Sequence, residues 1–276
     1  MALLMVSCGG GADKVVVIKT NMGDMTVILY DETPIHKENF IELAESGEYD
    51  STIFHRVMQN FMVQGGDVFR KTGVTETSAD RLPAEIVKGL YHHTGALAAA
   101  RQPDPVNPEK MSSSCQFYIV DGVTYTADSW ANYKSQANEA KKNAEFNTAI
   151  RKPENAHFLK ALQQYQQELN KEAFDSVLAL VMNNIEQTME PIRFTKEQDE
   201  IYTTVGGVPH LDNEYTVFGK VVEGLEVIDK IAAVQTQSLS PQIQNVPIDP
   251  VYISMEVKTM SKSEITSKYG YEYPSK

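Results

Sequence analysis

The chain is poor in cysteine, in tryptophan and in positive charge. Its two cysteines, Cys8 and Cys115, cannot build a disulfide framework, and neither has a second cysteine or a histidine at zinc-ligand spacing. Lys and Arg number 25 against 37 Asp and Glu, a net charge of −12, so the field of the whole chain opposes phosphate backbones and anionic lipid surfaces. Nucleic acid is not an expected partner. No apolar run approaches the eighteen or so residues that a membrane span needs. A serine hydrolase elbow, a phosphate-cradling glycine loop and a zinc-protease helix motif are all missing. The adjacent His92 and His93 point to opposite faces of an extended chain, which argues against a shared metal, and the serine run 112–114 has no partner at recognisable spacing. No cofactor and no metal are expected.

What is present is an ordinary globular composition, 42% hydrophobic and 22% charged, in 276 residues: one large domain or two small ones. Residues 1–7 form a short apolar stretch ending in Ser7, followed by Cys8 and three glycines. That order resembles the end of a bacterial lipoprotein signal, whose processed cysteine carries a lipid. The basic region that should precede it is missing, so the expectation is a start upstream of Met1, a mature protein beginning at Cys8, and residues 1–13 as signal remnant and glycine-rich tether. The other reading is a frayed cytoplasmic N-terminus.

From Lys14 the pattern is that of strands. Residues 15–20 and 25–30 are rich in β-branched side chains and flank Asn21-Met22-Gly23-Asp24, turn chemistry for a hairpin. Thr33-Pro34 reads as a helix start, followed by Phe40, Ile41, Leu43 and Ala44 at helical spacing up to Gly47. Residues 53–57, 61–63, 97–100 and 117–120 read as buried strands. After Gly122 glycine is absent until Gly206, and apolar residues recur by threes and fours: Phe158, Leu162, Tyr165 and Leu169, then Phe174, Val177, Leu178, Val181, Met182, Ile185 and Met189. Residues 123–204 are therefore expected to be a helical insertion. Strand patterns return at 215–222 and 251–257, with a short helical pattern through Val227, Ile228 and Ile231; residues 258–276 have no clear period and read as a tail.

The densest block is Phe54-His55-Arg56-Val57 followed by Asn60-Phe61-Met62-Val63-Gln64-Gly65-Gly66-Asp67. Together with Gly23-Asp24-Met25, Asn39-Phe40, Gly95-Ala96-Leu97-Ala98-Ala99-Ala100, Gln116-Phe117-Tyr118-Ile119 and Leu211-Asp212 leading to Val217-Phe218-Gly219-Lys220-Val221, it resembles the cyclophilin-type peptidyl-prolyl isomerases, in the family's order. The resemblance covers most of residues 14–122 and 205–257. It implies a mainly β fold, a closed eight-stranded antiparallel barrel capped by two helices, here interrupted by the helical insertion.

By resemblance Arg56 is the catalytic donor. Phe61, Met62, Tyr118 and Leu211 would line a proline slot, and Gln64, Ala100, Arg101 and Gln116 would hold the residues before proline. His210 stands where a rim tryptophan is common, and Tyr215 where a pocket histidine is common; both are expected at the substrate site, with His55 as support. Loss of the rim indole argues against tight cyclosporin binding. Phe61 and Met62 are adjacent and cannot share a strand face, so a bend or bulge is required there. The implied function is isomerisation of X-Pro bonds in unfolded or exported polypeptides by a monomeric periplasmic lipoprotein that meets the membrane only through Cys8. The other reading is a proline-segment-binding chaperone or scaffold module whose turnover is incidental.

Overall fold

In the computed structural model, residues 11–274 are described; Cys8, and with it the lipidation expectation, lies outside them. The strands β1 (Ala12–Thr20), β2 (Gly23–Leu29), β3 (Thr52–Met58), β4 (Met62–Gly65), β5 (Ala96–Arg101), β6 (Ser112–Val120), β7 (Val217–Glu223) and β10 (Val251–Ser261) close into one barrel in the order β1-β10-β3-β4-β6-β5-β7-β2. Every pairing is antiparallel. The two-residue strands β8 (Thr236–Gln237) and β9 (Val246–Pro247) form a separate small ribbon. Closure leaves no long unpaired edge, and the inward side chains fill the lumen as core rather than channel.

Two apolar clusters flank the barrel wall. The larger gathers Val16, Ile18, Met25, Phe54, Val63, Leu97 and Phe117 with Phe40, Ile41 and Ala44 of α1 (Pro34–Glu45) and Val227, Ile228 and Ile231 of α7 (Leu225–Ala232). The two helices bury their apolar stripes on it. The expected cap of α1 is replaced. Thr33 makes no side-chain capping bond; the carboxylate of Glu85, from a distant loop, accepts from the backbone N–H of Ile35 (3.1 Å) and His36 (2.9 Å). An acceptor from elsewhere satisfies the same orphan donors that a local cap would.

Between β6 and β7 the chain forms a second compact unit, Tyr125–Thr203, described here by itself. It contains α3 (Ala127–Ala149), α4 (Ala156–Gln167), α5 (Lys171–Thr188) and most of α6 (Lys196–Thr204). Leu162, Val181 and Ile185 are buried as the spacing predicts, but Leu169 is 89% exposed and lies in the α4–α5 turn at φ 53°. What the spacing does not show is an aromatic cluster within the unit, where Trp130 stacks on Tyr133 (5.2 Å, 5°) and meets Tyr125, Phe194 and Tyr202. Among the described residues, no helix is long and apolar enough to cross a membrane.

The two ends of the barrel chain also differ from expectation. Strand β1 begins at Ala12, inside the expected tether, and the expected tail is ordered structure. β10 continues to Ser261 against Ala12, and α8 (Lys262–Tyr269) follows with a reciprocal Ser261–Glu264 capping box. Ile265 and Tyr271 are buried beside Val15 and Tyr30. With only two inward residues, this segment shows no period in the sequence.

Candidate active site

The hairpin β3–β4 carries the densest sequence block. Opposite Phe54 stands Gly65, and opposite Arg56 stands Gln64, so His55 is the extra residue of a β-bulge. The bulge breaks the alternation of the strand: Phe54 and Val57 face the core, and Arg56 is turned to the outer side of the wall. The hairpin turn places Asn60 at φ 62°, and Phe61 sits in that turn rather than in the strand, which begins at Met62. Phe61 and Met62 are thus brought together by a turn; the irregularity lies at His55.

Gly66 takes φ 78°, and a Cβ there would stand 2.5 Å from the Phe117 ring. The glycine lets the chain leave β4 against the core without displacing that ring.

Arg56, Phe61, Met62, Gln64, Ala100, Arg101, Tyr118, Leu211 and Tyr215 together wall one cavity of about 90 Å³. Its apolar side is supplied by Phe61, Met62, Tyr118 and Leu211, the last from a 3-10 turn, Pro209–Leu211. Its polar side is a chain of amides. Arg56 Nη1 donates to Gln64 Oε1 (3.4 Å), and Gln64 Nε2 donates to Gln116 Oε1 (3.1 Å). The guanidinium carbon lies 5.9 Å from the centre of the Phe61 ring, and Nη2 reaches Met58 Sδ at 3.2 Å. A larger hollow of about 720 Å³ between α1 and β1 is lined by Asp13, Lys14, Glu38, Ile41, Glu42 and Glu45, where carboxylates outnumber the one cationic donor.

Gln116 and His210 adjoin this cavity through the residues they touch. His210 stacks on Phe61 with centroids 5.7 Å apart and planes at 16°, and its burial pushes the imidazole below its ordinary pKa. His55 does not join them. It lines a different small cavity with Thr52, Ile53, Asp67, Arg70 and Lys71.

Arg101 is present in the wall but committed elsewhere. Its Nε donates to the Glu214 carbonyl (2.8 Å), its Nη1 to Gln102 O and Asp104, its Nη2 to the Glu214 carboxylate, and its guanidinium lies 4.5 Å over the Tyr215 ring. It acts as a fixed wall rather than a free hand.

Two residues escape a reading of the sequence. His92, wholly buried, hydrogen-bonds Tyr118 through Nε2 (2.9 Å) and Asp212 through Nδ1 (3.2 Å). Asp212 immediately follows Leu211 of the slot, and that adjacency is the one signal the sequence carries for it. Burial also pushes the Tyr118 hydroxyl well above its ordinary pKa, so it stays protonated.

Comparison with known proteins agrees with this geometry. Residues 15–255 match the family model of the cyclophilin type peptidyl-prolyl cis-trans isomerases, and the chain belongs to that family. It is 27% identical to a peptidyl-prolyl cis-trans isomerase of Acinetobacter baylyi, over 95% of this chain and 94% of the relative. A Streptococcus pyogenes protein named as a bifunctional phosphatase/peptidyl-prolyl cis-trans isomerase is 29% identical over 86% of this chain, which spans only 38% of that longer protein. In fold, the chain is similar to a cyclophilin-type isomerase of Cryptosporidium parvum, with a TM-score of 0.51 at 19% identity, covering 90% of this chain and 98% of the other. The protein is a peptidyl-prolyl cis-trans isomerase.

Proposed function

We propose that the Arg56 cavity is where the isomerase binds and twists the X-Pro bond, and that its clients are unfolded or exported polypeptides. The single observation that carries this is the guanidinium of Arg56 held beside an apolar slot by Gln64 and Phe61.

Amide resonance raises a rotational barrier of about 18–20 kcal/mol, and an uncatalysed X-Pro bond turns over in tens to hundreds of seconds. Nothing is cleaved and no proton is transferred, so neither a nucleophile nor a base is required. In the planar ground state the prolyl nitrogen shares its lone pair with the carbonyl. In the twisted state the pair is localised on nitrogen and becomes an acceptor. A guanidinium fixed beside the slot meets that acceptor only in the twisted state, which is the condition for raising turnover rather than affinity. A 10⁵-fold acceleration requires about 7 kcal/mol of such differential interaction. Met62, Tyr118 and Leu211 hold the ring, while Gln64 and Gln116 present amide groups to the backbone before it. His210 extends the Phe61 surface at the rim.

The wider role rests on the N-terminal order of apolar stretch, Ser7, Cys8 and glycines: a lipid on Cys8 would tether the enzyme at the bacterial envelope, on the periplasmic side, as a monomer acting on exported chains. Mass spectrometry of the native protein tests this, a diacylated Cys8 supporting it and a free thiol removing it. A second reading, a proline-segment-binding chaperone with incidental turnover, draws on the helical unit, where Leu169 and Leu180 are 89% and 59% exposed. Catalysis of proline-limited refolding separates the two: the enzyme reading predicts acceleration at substoichiometric concentration, and the binding reading predicts only retention of unfolded chains at equimolar concentration.

A further inference from the structure

The wall of the slot is connected to a buried polar chain that the isomerisation chemistry does not itself require. His92 lies just before β5, Tyr118 on β6, and Asp212 just after the Pro209–Leu211 turn. His92 is fully buried, Tyr118 is 5% exposed, and the Asp212 side chain is 4% exposed. The carboxylate oxygen Oδ1 of Asp212 accepts from the His92 backbone N–H at 2.9 Å and stands 3.2 Å from His92 Nδ1. A carboxylate can only accept, so Nδ1 carries the proton. In the neutral tautomer that this fixes, Nε2 holds the lone pair and is the acceptor for the Tyr118 hydroxyl 2.9 Å away. The His92 carbonyl accepts from Val208 N at 2.8 Å, which ties the residue preceding the 3-10 turn to the same histidine.

The consequence is geometric. Tyr118 and Leu211 face the same cavity from different parts of the chain, and His92 links the tip of one to the residue following the other. The imidazole also lies nearly parallel to the Tyr118 ring (6.0 Å, 13°), while Tyr215 meets both rings edge-on at 5.9 and 6.3 Å. An aromatic ring in a wall with no polar anchor can tilt; one whose hydroxyl is held 2.9 Å from a buried acceptor cannot do so without leaving that hydroxyl unsatisfied.

We infer that His92 and Asp212 are positioning residues for the proline slot, which act through the Tyr118 hydroxyl to hold the Tyr118 ring at a fixed angle opposite Leu211. They touch no substrate. Their contribution is to the binding of the pyrrolidine ring, shared by the planar and twisted states, and it therefore falls on KM rather than on kcat. The inference rests on the Arg56 cavity being the substrate site.

A double-mutant cycle tests it, with NMR exchange on a short Ala-Pro peptide giving kcat and KM and a thermal melt run on every variant. His92→Leu, which leaves the hydroxyl without its acceptor, is expected to lower kcat/KM at least tenfold, chiefly through KM. His92→Gln, whose amide oxygen can accept the same hydrogen bond, is expected to recover most of that loss. In the Tyr118→Phe background the hydroxyl is gone, and the loss on adding His92→Leu is expected to shrink below threefold. Equal losses with and without the hydroxyl would overturn the inference, because a purely structural histidine damages both backgrounds alike. A loss confined to kcat would overturn it as well. If His92→Leu does not melt cooperatively, His92→Gln in the two backgrounds decides: near-wild-type KM with the hydroxyl present and a raised KM in Tyr118→Phe that adding His92→Gln leaves unchanged support the hydroxyl anchor, whereas a near-wild-type KM in Tyr118→Phe, or equal large losses on adding His92→Gln to either background, contradict it. Arg56→Ala, measured alongside, separates the two levels. If it leaves turnover intact the site reading itself fails, whereas loss of turnover with an additive cycle removes only the positioning role.

Discussion

Arg56 and Gln64 face one another across the β3–β4 ladder, and the guanidinium donates to the Gln64 amide oxygen at 3.4 Å. The pairing is possible because the bulge at His55 places Arg56, rather than its neighbour, opposite Gln64. Gln64 is in turn oriented by Gln116 at 3.1 Å, so the guanidinium is held by a relay of two amides from adjacent strands.

Removing that support should misplace the cation without removing it. Gln64→Ala is expected to lower kcat/KM about tenfold, on the order of 1.4 kcal/mol, with the melting temperature nearly unchanged. Exchange kinetics at several peptide concentrations check this, and wild-type kcat/KM in the variant would show that Gln64 does not orient Arg56.

Gly66 is a backbone position poorly able to accept a side chain. Its φ of 78° and the 2.5 Å approach to Phe117 predict that Gly66→Ala costs about 2–4 kcal/mol. Urea unfolding should show a lower midpoint at an unchanged slope.

Acid should destabilise the fold before the carboxylates titrate. Burial lowers the pKa of His36, His55, His93 and His210 in the folded chain. An unfolded histidine takes up its proton near pH 6.5, so below that value the unfolded state binds more protons and stability falls as pH falls, until the folded histidines also titrate. Melting temperatures are expected to decline from pH 7.5 to 5.5 and to be flat above 7.5; a rise on acidification would contradict the stated directions.

The fold and much of the site were legible in the sequence, for physical reasons that also explain the gaps. The hairpin 15–30 announces itself through β-branched runs around Asn-Met-Gly-Asp, and α1 and α7 through apolar spacing. Arg56, Met62, Gln64, Tyr118 and Leu211 were recognisable because they sit in dense local blocks. The bulge at His55 and the left-handed Asn60 leave no such trace, since each is a single residue out of step with its strand; hence Phe61 read as strand and His55 as a site residue. His92 and Asp212 lie 120 positions apart and meet only through the closed barrel. The final segment hides for the opposite reason: two inward residues, Ile265 and Tyr271, are too few to form a pattern.

The barrel should not depend on the helical unit. Val123 and Gly207 exchange backbone hydrogen bonds at 3.0 and 3.3 Å, and a Cβ on Gly122 would stand 2.5 Å from Gly207 Cα, so the chain leaves and re-enters the barrel at adjacent points. Loop closure across a short gap costs little and grows slowly with length. Replacing residues 125–203 with a short Gly-Ser linker is expected to retain a cooperative melt and short-peptide turnover, while slowing catalysis on an unfolded protein. Loss of folding would show that the unit is part of the barrel core, and unchanged protein refolding would leave it without a role in client capture.

The most direct test of the central claim is two-dimensional NMR exchange on an Ala-Pro peptide with the wild-type protein and with Arg56→Ala. The account predicts cis-trans exchange far above the uncatalysed rate for the wild type. For the variant it predicts a fall of two orders of magnitude or more, about 3 kcal/mol, with peptide affinity almost unchanged and the fold intact by its melt. Equal exchange rates in the two proteins would contradict it.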